Sequence, residues 1–161
     1  MTIIAVLLLL PLTGAVIAPL AGVKNGRIRD FFLRLFTLAE CGLAVWLFYQ
    51  VWQGEEFAFA LPGVMGLGLS FRADGFRALY ALLAAFMWAM ACQLSKEYFA
   101  HHLSHMGRYA VFTLLTECGV VGVFLSDDLY TAFVFFEIMS IASYPWVAHE
   151  ETQGALRAAG T

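Results

Sequence analysis

Five long apolar stretches constrain this chain more than anything else in it: roughly Ile3–Gly22, Phe31–Trp52, Gly75–Ser95, Tyr109–Ser126 and Leu129–Val147. A helix needs about 20 such residues to cross the hydrocarbon core of a bilayer. Of 161 residues, 61% are hydrophobic and 13% charged, and one soluble domain of that length could not hide so much apolar side chain. A soluble enzyme and a disordered tail are excluded. The formal net charge of −3 leaves no basic surface for a nucleic acid. The expected fold is an all-α integral membrane protein with five transmembrane helices, a single membrane domain over residues 1–161.

The first stretch follows only Met1 and Thr2, so it lacks the basic lead of a signal peptide and reads as a permanent span. Pro11 falls within it and frees the carbonyl of Leu7. Gly14, Ala18 and Gly22 recur every four residues, a small-residue face for close helix packing. Lys and Arg set the orientation. Lys24, Arg27, Arg29, Arg34, Lys96, Arg108 and Arg157 fall on one side of a five-pass chain, and only Arg72 and Arg77 on the other. That pattern puts the N-terminus outside and the C-terminus in the cytoplasm, in a cell (inner) membrane.

One connection is long, from Gly54 to Asp74. Phe57, Phe59 and Leu61 alternate with small residues, Pro62-Gly63 turns, and Leu67, Leu69 and Phe71 alternate again. This period of two predicts a short outer β-hairpin. The glycine-rich run from Gly63 to Gly68 has no following Lys-Ser/Thr and reads as a turn, not a phosphate loop. At the far end, Thr152 can cap a helix that Ala155, Leu156, Ala158 and Ala159 would continue. Residues 152–161 are therefore expected to begin a sixth helix that is cut short.

Glu40, Glu117 and Glu137 lie inside apolar stretches. From the cytoplasmic ends they sit about 13, 12 and 15 Å deep at a 1.5 Å rise per residue, in one layer near mid-membrane. An ionisable group there costs several kcal/mol and faces a bundle interior or a hydrated path. Burial favours its neutral form and a nearby cation reverses that, so such a carboxyl can take and release protons. Hydrogen bonding to a backbone group or hydroxyl of another helix is the structural alternative, weakest for Glu137. No lysine lies inside any span. Three neighbouring carboxyls without a cation would suppress one another's ionisation.

The other polar groups are less informative. His101, His102 and His105 cluster with Glu97, but no third metal ligand accompanies the i, i+4 histidine pair, and a solvated loop is the plainer reading. Cys41, Cys92 and Cys118 lie in apolar stretches without disulfide or thiolate-metal spacing. Neither a metal nor a cofactor is expected. Asp127-Asp128 would cap the fifth span, Trp52 and Trp146 sit near span ends, and Pro145 frees the carbonyl of Ile141.

The run from Phe124 through Asp127-Asp128-Leu129, Phe136-Glu137, Met139-Ser140 and Ser143-Tyr144 resembles one segment of a known family. It is similar to the fourth-to-fifth helix region of the antiporter-like subunits shared by complex I (NADH-quinone oxidoreductase), Mrp-type Na+/H+ antiporters and membrane-bound hydrogenases. Ser70-Phe-Arg-Ala-Asp-Gly75 and Glu151-Thr-Gln-Gly-Ala-Leu-Arg-Ala-Ala159 look like the same family. The resemblance implies that Glu137 is the translocation-site carboxylate, paired with a lysine on a seventh helix. This chain would match only the N-terminal five of about fourteen helices.

Two functions follow. The chain is a proton- or sodium-translocating subunit, or a fragment of one, whose lysine comes from another polypeptide. Alternatively it is a structural membrane subunit of such a complex, without transport of its own. Either way its expected partners are other membrane subunits and the lipid bilayer. No nucleophile or cofactor loop suggests a free-standing enzyme, so a non-catalytic part of a redox-linked pump is the expectation. Glu137 leads the candidate site residues, followed by Glu117 and Glu40.

Overall fold

The computed structural model describes residues 2–23, 25–98 and 106–147. Five helices form, α1 (Thr2–Ala21), α2 (Gly26–Trp52), α3 (Gly75–Tyr98), α4 (Met106–Leu125) and α5 (Leu129–Val147), with strands β1 (Phe57–Leu61) and β2 (Leu69–Ala73) between α2 and α3. Helices α1 to α4 are long and apolar enough to cross a membrane, and α5 adds a shorter apolar stretch, Leu129–Pro145. That stretch is at the short end of what a bilayer core requires. Helix α2 starts five residues before the expected Phe31, because the Asn25 side chain caps it by accepting from Arg27 N–H at 3.0 Å. In its first turns Arg29 pairs with Asp30 at 2.7 Å, and the Arg34 Nε donates back to the Asp30 carbonyl at 3.0 Å. Arg34 thus turns toward the head of its helix, the direction in which a long basic side chain near a span end snorkels.

Helices α1, α2, α3 and α4 pack in a ring, α1 on α2, α2 on α3, α3 on α4 and α4 on α1. Helix α5 lies outside that ring, against α4. Small residues permit the close approaches. A Cβ added at Gly14 would fall 2.7 Å from the Phe36 ring of α2, and Ala18, one turn on, is fully buried. On α4, a Cβ at Gly119 would fall 2.9 Å from the Met139 Cβ, and one at Gly122 would run into the Phe135 ring. Bulkier residues there would push α5 off.

The hairpin forms as the alternation predicts, antiparallel with Phe57 opposite Ala73 and Leu61 opposite Leu69. Leu67 is not in a strand. Gly63, Gly66 and Gly68 all have positive φ, and the chain between the strands coils into a one-turn 3₁₀ helix over Val64–Gly66. Phe71 stacks on Phe59 and meets Phe135 of α5 edge-on at 5.5 Å, which seats the hairpin on the bundle. His101, His102, His105 and the expected start of a sixth helix at 152–161 lie outside the described residues.

Candidate functional site

The three glutamates share a mid-helix position but not an environment. Glu40 is 14 residues from the start of α2 and Glu117 is 11 from the start of α4. Both side chains are at 0% exposure. The two carboxyls are close enough for their charges to interact across the α2–α4 contact. Neither accepts or donates a hydrogen bond among the described residues, so four carboxyl oxygens are buried without a partner. The expectation that a backbone group or a hydroxyl of another helix satisfies them fails. The nearby hydroxyls are already spent within their own helices: Thr37 donates to the Arg34 carbonyl at 3.2 Å, Thr113 to Tyr109 and Thr116 to Phe112, both at 2.7 Å. Three thiols also lie around the pair. Cys41, Cys92 and Cys118 all lie within electrostatic reach of Glu117, and the Cys118 thiol donates to the Leu8 carbonyl of α1 at 3.4 Å.

Glu137 stands apart. It lies eight residues after Leu129 and ten before Val147, at the middle of α5. The α4 contact takes the Phe135, Met139 and Ala142 side of the helix, which leaves Glu137 on the opposite, exposed side. Its neighbours there are apolar: Phe133, Phe136 and Ile141 are all half exposed or more. Among the described residues it makes no hydrogen bond or ion pair. So the three carboxyls do not form one cluster; Glu40 and Glu117 lie within electrostatic reach of each other inside the ring, and Glu137 looks out of it. Ser140 is half-buried beside it and Tyr144 is exposed.

Sequence reasoning missed a polar clasp at the hairpin end of the bundle. The Asp127 N–H donates to the Ser70 carbonyl at 2.9 Å, and the Ser70 N–H donates to Thr131 Oγ1 at 2.9 Å. The Ser70 hydroxyl bonds the Asp128 carboxylate. Arg72 and Arg77 each reach Asp127 at 3.3 Å, and Arg77 also holds Asp74 at 2.7 Å. Asp128 caps α5 as expected, accepting from Thr131 N–H at 2.7 Å. The available signal was the balance of opposite charges, two arginines and the aspartates, on one side of the membrane.

Comparison with known proteins bears on what such a bundle belongs to. No protein-family model matches the chain. It is 28% identical over 128 residues to NADH-quinone oxidoreductase subunit N 2 of Solibacter usitatus (strain Ellin6076), covering 79% of this chain and 25% of that protein. It is 26% identical over 155 residues to the antiporter subunit mnhD2 of Staphylococcus haemolyticus (strain JCSC1435), covering 94% of this chain and 30% of the relative. A chain of the membrane-bound sulfane sulfur reductase, an archaeal respiratory membrane complex, superposes with a TM-score of 0.81 at 26% identity, over 99% of this chain and 33% of that one. The chain thus spans a third or less of these three proteins. It is a multi-pass membrane protein that is similar, over most of its length, to the antiporter-like membrane subunits of NADH-quinone oxidoreductases and Na+/H+ antiporters.

Proposed function

We propose that the chain takes part in moving protons or sodium ions across a membrane, as one piece of a larger multisubunit assembly, with Glu137 as the carboxylate that takes up and releases the ion. Its relatives are named as NADH-quinone oxidoreductase and antiporter subunits, which supports the ion-translocating class. One observation carries the assignment to Glu137: a carboxyl at the middle of α5 on an apolar, uncovered face. A charged group facing lipid at that depth costs about 2.5–3.5 kcal/mol on insertion scales. The arrangement makes sense when protein covers the face and brings a cation to it. A lysine-bearing helix of a neighbouring polypeptide, or of a longer form of this chain, is the fitting partner. Approach of that cation favours the carboxylate and its withdrawal favours the acid, which is the cycle an ion carrier needs.

The same reading places the N-terminus outside and the C-terminus in the cytoplasm, since Arg27, Arg29, Arg34 and Arg108 crowd the end opposite the hairpin. In the assembled complex, Glu137→Gln is expected to bring ion pumping to background while leaving assembly intact, because Gln keeps size and hydrogen bonding but cannot ionise. Pumping at the wild-type rate by that complex would overturn the assignment. Proteoliposomes holding this chain alone are expected to show no proton or sodium flux.

A further inference from the structure

Glu137 does not account for the most unusual polar feature of the bundle. Glu40 and Glu117 are wholly enclosed, lie within electrostatic reach of each other across the ring from α2 and α4, and leave all four oxygens without a hydrogen bond to any described residue. Two carboxylates cannot sit so in a low-dielectric interior, because their repulsion adds to the loss of hydration. A proton on one carboxyl removes that repulsion and turns an acceptor-only group into a donor. The groups facing it offer no cation. Helix α1 carries no titratable side chain within its length, α2 adds the Cys41 thiol, α3 adds Cys92 and α4 adds Cys118. Thr37, fully buried on α2, is the nearest hydroxyl on the Glu40 helix and is bonded within it.

A second observation concerns access. Between α3 and α4 lies a cleft of about 200 Å³, lined by Met87, Trp88, Ala91, Cys92, Tyr109 and Thr113. Thr113 precedes Glu117 by one helical turn, and Cys92 lies both on the cleft wall and within electrostatic reach of Glu117. The Trp88 indole N–H, bonded to the Thr113 carbonyl at 3.1 Å, closes one side. The cleft wall thus comes within one helical turn of Glu117.

We infer that Glu40 and Glu117 form a second proton-holding site, a carboxyl pair that keeps at least one exchangeable proton inside the ring of α1 to α4 and is separate from Glu137. With two protons the pair is neutral. On losing one it carries a single negative charge, and the remaining O–H of one carboxyl donates to the carboxylate of the other. The proton lost passes to water.

Infrared spectroscopy of the full chain in membranes tests this at pH 7. The wild type should show the carbonyl band of a protonated carboxyl, shifted in deuterium oxide. The band should persist in Glu137→Gln and disappear when the double change Glu40→Gln/Glu117→Gln is made in that background. Absence of the band from Glu137→Gln overturns the inference, as does its survival when the double change is added. The Glu137→Gln background keeps these arms independent of the role proposed for Glu137. Should the double variant fail to fold, wild-type chain treated with a hydrophobic carbodiimide, which attacks protonated carboxyls in apolar surroundings, decides the matter. Mass spectrometry should find the adduct on the Glu40 or Glu117 peptide, and both peptides unmodified would count against the site.

Discussion

Asp128 has two tasks at the head of α5. One carboxylate oxygen accepts from the Thr131 N–H, and the other takes the hydroxyls of Ser70 and Thr131. The Ser70 hydroxyl does most to hold this carboxyl below the usual aspartate range, followed by the Thr131 backbone N–H. A group depressed in the folded state stabilises it above the unfolded value and loses that contribution as pH falls through the folded value. The hairpin-to-α5 clasp should therefore hold throughout the neutral range and weaken only below about pH 3.9, the ordinary aspartate value. Asp128→Ala is expected to lower the thermal midpoint of the chain in detergent at pH 7 and to flatten that acid-side decline. An unchanged midpoint at pH 7 would show that the cap and the clasp contribute nothing. Glu137 shows the limit of sequence reading at this scale: its depth followed from counting residues, but its direction did not.

The reason lies in the helices. An apolar helix hydrophobic on every side carries no amphipathic signal, so nothing in the pattern of α5 tells its α4 face from its open one. Segment boundaries and the hairpin were legible because hydropathy and period-two alternation are local properties. The early start of α2 was not, since Arg27, Arg29 and Asp30 look like loop residues until Asn25 is seen to cap them. Leu67 misled because its alternation continues into a turn built on positive-φ glycines. The small-residue stripe of α1 was readable at Gly14 and Ala18, and the equivalent at Gly119 and Gly122 is what orients α5. Gly122→Val should therefore destabilise the bundle by about 1–3 kcal/mol, the usual cost of overpacking. Gly42→Ala, where an added Cβ meets nothing within 4 Å, should be neutral or slightly stabilising. Thermal unfolding of the two variants side by side measures the difference, and equal midpoints would argue against a tight α4–α5 seam.

For the whole molecule, four helices form a closed ring and a fifth leans on it from outside with its carboxyl turned away. That asymmetry divides the chain into an inner carboxyl pair enclosed by its own helices and an outer carboxyl on an uncovered face. The proposed orientation gives a direct check. In single-cysteine variants free of the native thiols, an impermeant reagent added from outside should label position 63, in the hairpin turn, and spare position 25. Labelling of position 25 from outside would invert the arrangement.

The clasp also sets an order of events during synthesis. Ser70 is made early, yet the hydroxyl that receives its N–H belongs to Thr131, 61 residues further along the chain. The α4–α5 turn that supplies Asp127 and Asp128 is equally late. Until those residues emerge, β2 has β1 on one edge and nothing on the other. Closure of the hairpin end is thus a long-range step, made only after α3 and α4 have been delivered to the membrane.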